Sequence, residues 1–123
     1  MTTLCIAWAC SDSTGPTVNV QGTYIGNYTA TVQPGIVYQG VLQLTQSGKS
    51  VTGTLTTNAG RAATVSGTLS GSRLTATFTF TDTCRGASQS TADVTDGSTR
   101  LVGNYTTVDC LGQYSGGYNL KRQ

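Results

Sequence analysis

VTGTLTTNAGRAATVSGTL, residues 51–69, holds the same pentad twice, Val51-Thr52-Gly53-Thr54-Leu55 and Val65-Ser66-Gly67-Thr68-Leu69. The turn-forming run Asn58-Ala59-Gly60-Arg61 lies between the two copies. A period of two puts Val51, Gly53 and Leu55 on one face and Thr52, Thr54 and Thr56 on the other, which is the signature of a strand buried on one side. Apolar-x-Gly-x-apolar then recurs along the chain as VQGTY (20–24), YQGVL (38–42), LVGNY (101–105) and YSGGY (114–118), with LTATF (74–78) as an alanine version. Seven of the eight strands read from the sequence therefore carry a small residue in the middle of the inward face. Glycine inside a strand weakens it unless the backbone bends sharply or approaches another chain closely. A ring of such positions fits a small, strongly coiled barrel.

The inward face reads Val18 to Val32 at even positions, then Ile36, Tyr38, Gly40, Leu42 and Leu44. After Ser47-Gly48-Lys49 come Val51, Gly53 and Leu55, and after the next turn Ala63, Val65, Gly67 and Leu69. Leu74 to Phe80, a polar segment near Ser88–Thr95, Leu101 to Tyr105, and Tyr114 to Leu120 complete the count. Clean alternation argues for antiparallel pairing, and close spacing makes hairpin follow hairpin. The expected fold is all-β, an eight-stranded antiparallel up-and-down meander barrel, closed or nearly closed because closure removes exposed edges. A flattened β-sandwich and an open sheet are the alternatives.

Composition agrees. The chain has 24 Thr, a β-branched residue suited to a pleated surface, and only 10% charged residues. A net charge of +2 with no basic run gives no footprint for nucleic acid. A membrane-spanning barrel would need an apolar outer face. Here the outer face is Thr, Ser, Gln and Asn, and the six Tyr and two Phe share the inner one.

Residues 1–16, MTTLCIAWACSDSTGP, differ in character from the barrel domain at 17–123. The apolar run Leu4–Ala9 ends in Ala9-Cys10 and gives way to a small, polar linker. It is far shorter than the ~20 residues of a transmembrane helix. It resembles a bacterial lipoprotein signal, in which the Cys becomes the acylated first residue, and Ala7 and Ala9 match its small residues. That resemblance implies lipidation at Cys10 and a membrane held through that anchor. No Lys or Arg precedes the run, so a complete signal would begin upstream. A disordered tail and a first strand carrying Trp8 are the competing readings.

Cys84 and Cys110 follow the fifth and seventh strands, which run the same way in a meander, so both arrive at one end. A bridge there is geometrically allowed, and closing a loop of about 25 residues stabilises by roughly 3–4 kcal/mol. Free buried thiols are the alternative. A disulfide and an exported N-terminus give one compartment, the envelope or outside. The expected localisation is the bacterial envelope, anchored at the outer membrane facing the periplasm or at the cell surface, or else secreted.

There is no His to serve a nucleophilic triad, and the expectation is a non-enzyme without cofactor. Asp82 and Asp109 precede the barrel cysteines and converge at the same end. They either hold a cation or act as an acid–base pair, or simply cap turns and balance Arg85 and Arg100. Tyr24, Tyr28, Tyr38, Phe78, Tyr105, Tyr114 and Tyr118 all point inward and are the candidate ligand-lining residues. Eight strands enclose room for packed side chains or for one small ligand.

Residues 36–122, with LTQSGKSVTGTL, VSGTLSG and LTATFTF, resemble small secreted or lipid-anchored bacterial envelope proteins. The meander is also similar to the calycin architecture of lipocalins and avidins. The lipocalin Gly-x-Trp signature reads Gly22-Thr23-Tyr24 here, and the inward tryptophans of avidins are missing. Two functions follow as expectations. One is an envelope barrel with a structural or interaction role; the other is a carrier of a small apolar ligand. The duplicated string GNYT, at 26–29 and 103–106, formally matches a glycosylation acceptor but parses as the packing pentad with Tyr after Gly. Closure would set Tyr28 and Tyr105 beside Tyr118.

Overall fold

The computed structural model describes residues 18–123. The signal-like segment, with Cys10 as its expected lipidation site, lies outside the described residues. Eight strands follow in order: β1 (Gly22–Ala30), β2 (Tyr38–Ser47), β3 (Ser50–Thr57), β4 (Ala62–Ser70), β5 (Arg73–Phe80), β6 (Ala87–Thr95), β7 (Arg100–Asp109) and β8 (Gly112–Arg122). Each pairs antiparallel with the next, and β1 pairs with β8, so the sheet closes into an up-and-down barrel. Closure decides against the sandwich and the open sheet.

The pentad glycines explain how so small a barrel closes. A Cβ on Gly67 would stand 2.7 Å from the carbonyl oxygen of Thr75 on β5, closer than any side chain tolerates. Gly26, Gly53 and Gly103 likewise face carbonyl oxygens of a neighbouring strand, those of Asn119, Gln43 and Thr91. Gly40 differs, because its nearest neighbour is the Leu55 side chain at 3.4 Å, an ordinary contact. The tight hairpins Gly48-Lys49 and Gly71-Ser72 each open with a glycine at φ +60°. That conformation matches the twist of the flanking strands at little steric cost.

The two ends of the barrel are built differently. At the end where β1 begins, the lead-in segment folds inward and acts as a plug. Val20 and Tyr24 are fully buried there beside Val51, Leu69 and Leu101. The Tyr24 hydroxyl donates to the Val20 carbonyl at 2.8 Å. The Gln46 side chain accepts from the Val20 amide and donates to the Val18 carbonyl. Arg122 donates to the Tyr24 hydroxyl and to the Asn19 carbonyl. Each fully buried side chain of this kind stabilises by about 1.5–3 kcal/mol.

At the opposite end, the inward run predicted through Val32 and from Ile36 breaks down. Both residues are exposed. The Gln33 amide bonds to the Ala30 carbonyl and Ile36 to Gln33, which bends residues 31–37 away from the barrel wall. Pro34 and Gly35, the latter at φ +83°, sit at the apex of this bend.

Candidate functional site: a tyrosine-lined cavity at the mouth

The end where β1 finishes is a mouth framed by the 31–37 loop, the 58–61 turn, the 81–86 loop and the β7–β8 turn. It opens on a cavity of about 240 Å³ lined by Tyr28, Tyr38, Phe78, Tyr105, Tyr114 and Tyr118, with Leu55, Phe80, Leu120 and Arg61. Six of the seven sequence-proposed lining residues are thus brought together. Tyr24 is not among them, because it is locked under Val20 at the plugged end.

Register explains how three tyrosines share the space. Tyr28 faces Tyr38 across one strand boundary and Tyr118 across the other. The Tyr28 and Tyr38 rings stack with centroids 5.4 Å apart. Tyr105 is paired with Gly116 of β8, and Tyr118 with Gly103 of β7. Each ring thus lies opposite a glycine, which lets its hydroxyl reach past a whole strand. The Tyr105 hydroxyl donates to the Thr29 carbonyl on β1 at 2.6 Å, and the Tyr118 hydroxyl bonds Ser90 on β6. Tyr38 donates to the Gln33 side chain at 2.7 Å. Ser88 and Thr107, paired across β6 and β7, satisfy one another. Burial raises the Tyr105 and Tyr118 pKa values above that of an ordinary tyrosine, so both hydroxyls stay protonated.

One wall of the mouth is a charged cluster. Arg61, just before β4, donates through Nε to Asp82 and through Nη1 to Asp109, both at 2.9 Å. Nη1 also reaches the Tyr114 hydroxyl at 3.3 Å, and Nη2 the Cys84 carbonyl at 2.8 Å. The guanidinium lies 3.9 Å above the Phe80 ring centroid, a cation–π contact. Burial works against the Arg61 charge, but its hydrogen bonds to Asp82 and Asp109 outweigh it and hold the group ionised. The guanidinium keeps Asp82 below the usual carboxylate range. Burial opposes ionisation of Asp109, whose side chain is fully covered, yet hydrogen bonds from Tyr114 and Arg61 win and its pKa is lowered too. Burial, then the bond to Asp109, pushes the Tyr114 hydroxyl up to about 12.

The carboxylates therefore hold a guanidinium. Asp82 Oδ2 also accepts from the Ala62 amide, Asp82 Oδ1 from that of Cys84 and Asp109 Oδ1 from that of Leu111, so every carboxylate oxygen already serves a protein donor. The expected partners are corrected as well. Arg85 donates to the backbone carbonyl of Asp82, and Arg100 sits at the far end with Asp96. Asp93, also at the far end, pairs with Arg73.

Cys84 and Cys110 form a disulfide that ties the 81–86 loop to the β7–β8 turn, with Cα atoms 5.1 Å apart. The bridge flanks both acids, since Asp82 and Asp109 stand two and one residues away in sequence. The two sulfurs lie near the Asp109 carboxylate, but bonded to each other they are not thiolate ligands.

Among the lining residues the sequence reading did not assign Leu55, Arg61, Phe80, Leu111 or Leu120 to the site. A signal for Arg61 was present. It has the same parity as Ala63, Val65 and Leu69, so extending the alternation one step back points it inward. No protein-family model matches the chain, and no curated protein is similar to it.

Proposed function

We propose that this protein is a non-catalytic carrier that holds a small, uncharged, ring-bearing molecule in the tyrosine-lined cavity. The observation behind this reading is a barrel plugged at one end and hollow at the other, its hollow lined mainly by aromatic and aliphatic side chains. Small-molecule sites are typically concave, mostly apolar, and furnished with few polar groups. An apolar cavity on the order of 150 Å³ accommodates one benzene ring. At about 240 Å³, this one suits one or two rings.

The polar atoms argue for a neutral ligand. The hydroxyls of Tyr38, Tyr105, Tyr114 and Tyr118 already have protein partners. The Arg61 fork is engaged by two carboxylates, so an incoming anion would face a cluster of net charge −1. A ligand therefore meets ring faces and methyl groups, with little that would satisfy a charge.

The cavity favours the carrier over a purely structural role. The disulfide supports work in an oxidising compartment, and with it the envelope or secreted localisation. Anchoring through Cys10 belongs to the same proposal; Cys10→Ala should move the full-length protein from the membrane to the soluble fraction, and unchanged fractionation would rule the anchor out. Native mass spectrometry of protein purified from its own host tests the carrier reading. A non-covalent mass lost on unfolding supports it. An empty barrel that also takes up no added neutral aromatic contradicts it.

A further inference from the structure

Among the described residues, most of the exposed large hydrophobic side chains gather at the mouth. Val32, Ile36 and Val37 on the 31–37 loop and Leu111 on the β7–β8 turn are all exposed, Val37 at 58% and Leu111 at 61%. These two connections are neighbours, because β8 lies between β7 and β1. The Thr31 amide donates to the Ser115 carbonyl at 2.8 Å, and the Ser115 amide to the Thr31 hydroxyl at 3.1 Å, which fastens the loop to β8. The four aliphatic residues thus form one lip along one side of the opening. The rest of the rim carries Asn58, Thr81, Thr83 and Arg85 and is polar.

Exposed apolar groups gathered at one place generally mark a contact surface. What identifies the occupant here is continuity with the cavity. Val32 and Leu111 line the interior as well as the lip, so the apolar surface runs unbroken from the tyrosine rings to the outside. Charge argues against a bilayer as the occupant. At the mouth, Arg61 and Arg85 are balanced by Asp82 and Asp109. The excess positive charge lies at the plugged end, in Lys49, Arg73, Arg100, Lys121 and Arg122 against Asp93 and Asp96. An anionic lipid surface would attract the plugged end and leave the lip facing away.

We infer that the ligand is longer than the cavity: a neutral aryl-alkyl molecule with its ring among the tyrosines and its aliphatic chain lying over Val32, Ile36, Val37 and Leu111. This rests on the carrier reading and adds the class of ligand to it. Recognition is then divided, with shape selection inside and tolerance of chain length at the lip.

A series of 4-n-alkylphenols from methyl to hexyl, titrated into the intact protein by calorimetry, tests it. A methylene fully removed from water strengthens binding about fourfold, and one half covered by an open lip about twofold. Five added methylenes should therefore tighten binding about thirtyfold. Ile36→Ser and Val37→Ser change exposed lip residues that do not line the cavity, and they leave the core intact. They should remove most of that gain for the hexyl compound and leave the methyl compound unaffected. Val102→Ser, at an exposed valine on the barrel wall, should change neither. Binding of the methyl compound without a chain-length gain overturns this inference and leaves the carrier standing. A gain that survives both lip variants overturns it as well. So does loss, in those variants, of ligand-free self-association or of sedimentation with phosphatidylcholine–phosphatidylglycerol vesicles, because the lip would then serve another surface. If no alkylphenol binds, the carrier reading itself fails.

Discussion

Tyr105 on β7 donates its hydroxyl to the carbonyl oxygen of Thr29 on β1, passing over Gly116 on the strand between them. One side chain thereby ties together three strands at the seam where the barrel closes. The relationship depends on the glycine, since a Cβ at position 116 would stand 2.6 Å from the Tyr105 hydroxyl oxygen.

Gly116→Ala should therefore destabilise the protein by about 2–3 kcal/mol, in the range of an overpacked core. Tyr105→Phe, which keeps the ring and loses the hydrogen bond, should cost about 1 kcal/mol. Gly40→Ala serves as the contrast, for its Cβ meets only ordinary contacts, and its effect should stay within about 0.5 kcal/mol of wild type. Urea unfolding of the three variants checks the order. Equal losses at positions 116 and 40 would refute the close-packing account of the pentad glycines.

Arg61 should be the most costly charged residue to remove. Arg61→Met leaves Asp109 covered and without its cation, and breaking a buried pair from one side costs about 3 kcal/mol or more. Adding Asp109→Asn to Arg61→Met should recover part of the loss, because the stranded charge is gone. A double variant no more stable than the single would show that Arg61 acts by packing on Phe80 alone.

Acid and alkali should unfold the protein through different groups. Asp82 and Asp109 have folded pKa values held below that of a free aspartate by their hydrogen bonds with Arg61 and neighbouring donors. Their contribution is present above the unfolded pKa and is lost as pH falls through the folded values, so stability should decline below about pH 4. In Arg61→Met that acid limb should flatten. For Tyr114, folding raises the pKa from 10.0 to about 12. Its contribution is full below pH 10 and is lost as pH climbs from 10 towards 12. Between these limits no histidine is available to titrate, so the profile should be nearly level. The midpoint of urea unfolding measured against pH reads both limbs.

Reducing the Cys84–Cys110 bridge, or replacing both residues with Ser, should lower stability by about 3–4 kcal/mol for a separation of 26 residues. The loss should be larger in wild type than in Arg61→Met, because the bridge holds the loop and turn that carry Asp82 and Asp109. Equal losses in the two backgrounds would mean that bridge and cluster act independently.

The barrel was legible because two signals coincide at seven of the eight strands, with alanine standing for glycine in one of them. Alternation sets which face is inward, and a glycine in the middle of that face means the wall must bend. The Val51–Leu69 stretch carries both, and its two pentads pack on successive strands as Gly53 facing Val65 and Gly67 facing Val51. The disulfide was readable from topology, since strands five and seven run the same way. The site was read less well. Alternation gives only the face and says nothing of depth, so Tyr24 and Tyr28 look alike in the sequence although one is under the plug and the other lines the cavity. The plug itself comes from Val18–Gln21, whose inward turn depends on Gln46 and Arg122, residues 25 or more positions away. The charged cluster was within reach. Arg61, Asp82 and Asp109 each share the parity of their strand's inward face, but a charged residue beside a turn reads as solvated until three of them meet.

The most direct measurement is calorimetric titration of the barrel with 4-methylphenol, repeated on Gly40→Leu, which places an aliphatic side chain inside the cavity. The expected result is one-to-one binding with a dissociation constant of about 0.1 mM, reasonable for a ligand of that size. Its heat capacity change should be negative, as for apolar burial. Affinity should fall at least tenfold in a folded Gly40→Leu variant. No binding heat at any temperature, or the same affinity in both proteins, would contradict a cavity that holds a ligand.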